Sequence, residues 1–126
     1  MISRKKKKEC YFPQLTPQPL VVHHADYGIY SELRVSNVGG EAEVTAIIIN
    51  DGFQPSVEIG GKEVFQPLAL PRKLRFGASI AVLLQGPASR VRPEDCFKEY
   101  PKKVLVRLAD GQAVSFGLWD IIREKG

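Results

Sequence analysis

Between Leu33 and Ile49 the chain reads LRVSNVGGEAEVTAIII, and no other stretch constrains the fold as much. Leu33 and Val35 alternate with Arg34 and Ser36. After Asn37-Val38-Gly39-Gly40 the alternation resumes, with Val44, Ala46 and Ile48 set against Glu43 and Thr45. Period-two alternation marks strands with one buried face, and Asn and Gly accept the positive φ of tight turns, so the stretch reads as a hairpin. A lone hairpin is marginal in water, and other apolar runs must close over its buried face.

Those runs follow in order. Leu20-Val21-Val22-His23-His24 is a first strand, stopped by Asp26 and Gly28; residues 29–37 and 41–49 are the hairpin arms. Ile47 and Ile49 make the second arm apolar on both faces near its end, which suits a covered position. Asn50-Asp51-Gly52 is a turn. Residues 57–59 and 62–65 form a short hairpin around Gly60-Gly61, and Pro67 and Pro71 mark the next crossing. In 74–84, Ile80, Val82 and Leu84 share a face. Lys103 to Ala109 turns Val104, Val106 and Leu108 inward, and Asp110-Gly111 returns the chain along residues 113–119.

One helix is expected, of about two turns over 91–100. Pro93 suits its first position, Glu94 and Asp95 its first turn, and Pro101 its end, with Phe97 and Tyr100 facing the body. Residues 120–126 read as a polar end, with one helical turn holding Ile121 and Ile122 against the body.

The chain has 126 residues, enough for one domain with its own core. The reading divides it into a basic leader at 1–17, a sandwich at 18–119 and a tail at 120–126. The net charge of +4 is local: five of the 18 Lys and Arg are Arg4, Lys5, Lys6, Lys7 and Lys8, and one of the 14 acids is Glu9, leaving 13 of each sign beyond. A neutral body lacks the distributed positive stripe of a dedicated nucleic-acid surface. The leader, with Pro13 and Pro17, is expected to be extended and mobile.

No apolar run approaches the roughly 18 to 20 residues that cross a bilayer, and Glu9-Cys10-Tyr11-Phe12-Pro13 stands where a signal peptide would carry its apolar core. The chain therefore reads as cytoplasmic. Cys10 and Cys96 allow one disulfide or two reduced thiols, and the compartment favours the thiols.

Seven or eight short strands with frequent turn signals describe an all-β, two-sheet antiparallel sandwich with one short helix before the last two strands. On the residues Leu33-Arg34-Val35-Ser36-Asn37-Val38-Gly39, the segment 74–84 with Gly77 before its long strand, and Val104-Leu105-Val106-Arg107-Leu108-Ala109-Asp110-Gly111, the chain resembles bacterial immunoglobulin-like or fibronectin-type modules. Over about residues 19–119 it is similar to the CARDB-like modules of bacterial surface proteins. The cysteine-tryptophan-cysteine core of antibody domains is missing, since Cys10 lies outside the sandwich and Trp119 on the last strand. The resemblance implies a fold and a habit of binding or spacing, not a chemistry.

Motifs for catalysis are absent: no Gly-x-Ser-x-Gly elbow, no phosphate-binding loop and no cysteine near a histidine in sequence. The expectation is a protein that is not an enzyme and that uses no metal or cofactor. In His23-His24-Ala25-Asp26 the two histidines point to opposite faces of a strand, while His24 and Asp26 share one; two ligands make a poor metal site.

Recognition remains. If all connections are antiparallel, the loops at 25–28, 50–56, 66–73 and 110–112 lie at one end and those at 38–40, 60–61 and 85–102 at the other. The first end gathers Tyr27, Phe53, Gln54, Arg72 and Lys73, with Phe53 either an anchor for a protein partner or a lid on the core. An unpaired edge strand offers a homodimer by sheet extension. The alternative is a weak nucleic-acid or anionic-surface binder acting through residues 4–8. A small hydrolase whose site is assembled from distant residues is the third reading.

Overall fold

A computed structural model describes residues 19–61 and 63–125. Among these residues the fold is all-β, with ten strands in two sheets. They are β1 (Leu20–Asp26), β2 (Ser31–Asn37), β3 (Ala42–Ile49), β4 (Val57–Ile59), β5 (Phe65–Pro67), β6 (Arg72–Leu74), β7 (Ser79–Gln85), β8 (Val104–Leu108), β9 (Ala113–Phe116) and β10 (Ile121–Lys125). One sheet has the order β10-β1-β2-β7-β4-β5 and the other β9-β8-β3-β6. Every pairing is antiparallel except β10 against β1, which is parallel.

The two arms around Asn37–Gly40 do not pair with each other, so the expected hairpin is corrected. β2 bonds to β1 and β7, β3 bonds to β8 and β6, and residues 38–41 carry the chain from one sheet to the other. The alternation holds but is satisfied differently: the apolar faces of the arms meet across the sandwich, burying Leu33 and Val35 with Val44 in one core. A Cβ at Gly39 would lie 2.6 Å from the Cβ of Pro19, so glycine serves close approach here. Asn37, fully buried, donates from Nδ2 to the carbonyls of Leu74 (2.7 Å) and Gly40 (2.8 Å) and accepts from the Gly39 N–H (2.8 Å).

Within β3 the register shifts between Val44 and Ala46, the mark of a bulge. The extra residue reverses the phase of the alternation, so Ile47 and Ile49 enter the core while Ile48, expected inside, is only half-buried. The core otherwise gathers Val82, Val104, Val106 and Phe116 as expected, along with Leu20, Val22, Ile80, Leu84, Phe97 and Ile121.

β7 is buried on both faces. Its outer face packs Ala81 and Leu83 against Ile59 and Val91, because the connection after β7 folds over that side of the six-stranded sheet. This connection holds the expected helix, reduced to one 3-10 turn at Pro93–Asp95. Two turns do not form because Cys96 is already extended and the Phe97 N–H donates to the Leu84 carbonyl at 2.7 Å, outside any helical ladder. Asp95 instead accepts from Ser56 Oγ (3.0 Å) and Arg92 Nε (2.9 Å).

The C-terminal residues form a strand, not a polar end with a helical turn. β9 closes the four-stranded sheet, a 3-10 turn at Leu118–Asp120 follows, and β10 joins the edge of the other sheet. Among the described residues no helix is long and apolar enough to cross a membrane.

Candidate interaction surface at the C-terminal strand

β10 lies along β1 with Ile121 opposite Val22 and Lys125 opposite Asp26. Alternation then sorts its side chains. Ile121 enters the core, Ile122 and Glu124 take the outer face, and Arg123 turns towards residues 100 and 101.

Among the described residues the corner before β10 holds the most exposed large apolar side chain. The Gly117 N–H donates to Asp120 Oδ2 (2.9 Å) and the Asp120 N–H to the Gly117 carbonyl (3.0 Å), which fixes the turn. With Phe116 and Ile121 buried on either side, the residues between them project outward: Trp119 is 93% exposed and Leu118 39%. Ile122, 46% exposed, extends the apolar strip onto the strand, beside His23 Nδ1, which lies 2.6 Å from Glu124 Oε2.

On the other side of β10 a groove of about 640 Å³ runs between the ends of β1 and β10 and residues 97–101. Arg123 spans it, donating Nη2 to the Pro101 carbonyl (2.7 Å) with its guanidinium 4.4 Å from the Tyr100 ring centre. Nη1 lies 3.1 Å from Nδ1 of His24, whose ring stands edge-on to Tyr100 at 5.5 Å. Burial and the Arg123 charge hold His24 below the usual histidine range, against a smaller opposite pull from Asp26. His24 and Asp26 both line this groove, as their shared strand face implied. Among the described residues no group of three or more His, Cys, Asp or Glu is placed to hold a metal ion.

The residues expected at one loop end are dispersed. Tyr27 stacks on Tyr30, with ring centres 5.0 Å apart. Phe53, partly buried, packs on the core and against Phe97 at 5.0 Å, with Gln54 exposed beside it. Arg72 is engaged by Glu58, and Lys73 lines a separate groove with Glu43 and Asp110. The loop assignment fails in part: β6 was not counted as a strand, and one more crossing exchanges the ends of the later loops at 85–102 and 110–112, while those at 25–28 and 50–56 keep theirs. The connection 86–103 therefore meets the 50–56 loop, through Asn50 to Lys103 and Ser56 to Asp95. The 109–112 turn meets β3 at Glu43 instead, through the Ala109 N–H. Arg4 to Lys8 and Cys10 lie outside the described residues; Cys96 is half-buried.

Trp119, Tyr100, Ile122 and Arg123 were missed as surface residues because nothing local marks them. The available signal was Gly117-Leu118-Trp119-Asp120, a turn composition that interrupts an apolar run and leaves its tryptophan without a strand face.

Comparison with family models, curated proteins and solved structures finds no significant match.

Proposed function

We propose that this protein is a non-catalytic interaction module on an immunoglobulin-like sandwich, and that Leu118, Trp119 and Ile122 meet a protein partner. The exposure of Trp119 carries the reading. Tryptophan offers a large apolar surface with few rotatable bonds and is enriched among residues that dominate binding energy, and this one contributes almost nothing to its own core.

The strand arrangement supports the immunoglobulin-like description. β1, β2 and β7 share one sheet and β3, β8 and β9 the other, the partition of the first, second and fifth against the third, sixth and seventh strands of such sandwiches. β10 departs from that plan and supplies the edge beside Trp119. The opposite edge of its sheet is β5, three residues long and ending in Pro67, which blunts it; β10 has five residues and no proline.

The test uses the 126-residue chain with a photo-reactive residue at 119, compared with one at 113, an exposed position on β9. The expected result is a discrete protein adduct from position 119 alone, with another protein or a second copy, competed by unlabelled wild type but not by Trp119→Ser. Equal labelling from both positions, or equal competition by the variant, overturns the reading.

A further inference from the structure

The groove on the inner side of β10 holds a second device, independent of whether Trp119 binds a partner. Arginine is a donor only, and it does not lose its proton in proteins. The 3.1 Å contact between Arg123 Nη1 and His24 Nδ1 is therefore a hydrogen bond only when Nδ1 is the acceptor, that is, when the ring is neutral with its proton on Nε2. Arg123 cannot slide away at no cost, because its second nitrogen is bound to the Pro101 carbonyl and its plane lies against Tyr100.

We infer that His24 is a proton-operated latch: when its ring takes up a second proton, Arg123 leaves Pro101 and Tyr100, and the groove between β10 and residues 97–101 opens. Two cations cannot share a 3.1 Å contact in a partly desolvated site, and Arg123 is the one attached to a mobile side chain. Residues 100–103 stay tethered on their other side. Asn50 accepts from the N–H groups of Lys102 (2.8 Å) and Lys103 (3.0 Å) and donates to the Tyr100 carbonyl (3.1 Å). Opening is thus confined to the β10 side.

The groups around His24 set the direction. Arg123 opposes protonation from β10, and Asp26 favours it from β1, though its Oδ1 already accepts from the Gly28 N–H. Lys98 and Glu99 line the same groove with opposite charges, and Glu124 is engaged by His23; β2 presents Leu33 opposite His24. Burial adds to the Arg123 effect, so the folded chain binds this proton less readily than the unfolded chain. The latch therefore loosens as pH falls below about 6.5.

The test is a titration of the whole chain followed by NMR. From pH 7.5 to pH 5 the Arg123 side-chain and Tyr100 signals should follow the curve of the His24 ring, and exchange of the Arg123 guanidinium protons, bonded to the Pro101 carbonyl in the closed groove and corrected for intrinsic rates, should rise by about tenfold or more. In His24→Gln, whose amide oxygen accepts from Arg123 but never charges, both responses should vanish. In Arg123→Met the His24 midpoint should rise. Arg123 and Tyr100 signals that ignore the His24 curve, or that respond equally in His24→Gln, overturn the latch.

Discussion

Arg72 on β6 grips Glu58 on β4 with both terminal nitrogens, Nη1 to Oε2 at 2.5 Å and Nη2 to Oε1 at 2.6 Å, and these strands belong to different sheets. The pair clasps the two sheets together between β6, at the end of its sheet, and β4, next to the end of the other, both only three residues long. Glu58 is largely buried, so removing Arg72 leaves a carboxylate with no cation. Arg72→Met should cost about 2–3 kcal/mol, below the range for fully buried pairs because Arg72 is partly exposed. Glu58→Leu combined with Arg72→Met should recover most of that loss. Urea unfolding of the single and double variants measures both.

The same pair sets an acid limit. The hydrogen bonds from Arg72, chiefly, hold the Glu58 carboxyl below its ordinary range. A depressed folded value means that its stabilisation is complete above the unfolded value of about 4.3 and is lost as pH falls through the folded one. Stability measured from pH 6 to pH 2.5 should fall less steeply in Glu58→Gln than in wild type. Parallel curves would show that Glu58 contributes nothing to the acid limit.

The bulge in β3 gives a prediction that the sequence pattern alone reverses. Simple alternation from Val44 places Ile48 in the core, whereas the structure buries Ile47. Ile47→Ala should cost about 2–5 kcal/mol, and Ile48→Ala no more than about 1.5. Chemical denaturation of the two variants decides between the phases.

This bulge also shows where sequence reading ran out. Strand identity was legible wherever one face stayed apolar over several residues, as in Leu33 and Val35, Ile80 to Leu84, and Val104 to Leu108. Pairing was not, because alternation records which face is buried and not which neighbour supplies the hydrogen bonds; the stretch 33–49 fits a hairpin and a crossing between sheets equally well. Strands of three residues such as β6 leave no measurable period, and missing that one exchanged the loop ends. β10 was hidden by Arg123-Glu124-Lys125, charges that break the apolar alternation after Ile121 and that the end of an edge strand tolerates. The surface at Trp119 follows from β10 and was illegible without it.

Asn37 should be among the least replaceable polar residues in the fold. Its side chain makes three hydrogen bonds at full burial, two of them to carbonyls that have no other side-chain donor among the described residues. Asn37→Ala should cost about 2–4 kcal/mol, since it leaves the Leu74 carbonyl without that donor inside the sandwich. Asn37→Asp should be no milder: it keeps the acceptor for Gly39 but turns a carboxylate towards two carbonyl oxygens. Thermal melts of the two variants at pH 7 test the assignment, and a melting temperature within about 2 °C of wild type for either would show that the network around Asn37 is dispensable.

Asn50 offers a graded version of the same argument, at the turn that meets residues 100–103. It sits at φ +50°, a conformation Asn accepts more readily than most residues, and its amide both accepts from Lys102 and Lys103 and donates to Tyr100. Asn50→Asp keeps the acceptor and loses the donor, so it should cost less than Asn50→Ala, which loses both and adds strain at the same φ; about 1 and 2 kcal/mol are expected. Asn50→Gly relieves the strain but restores no hydrogen bond and should fall between them. The ordering Asp, Gly, Ala, read from urea midpoints, separates side-chain bonding from backbone conformation, and equal midpoints for Gly and Asp would assign the whole effect to the backbone.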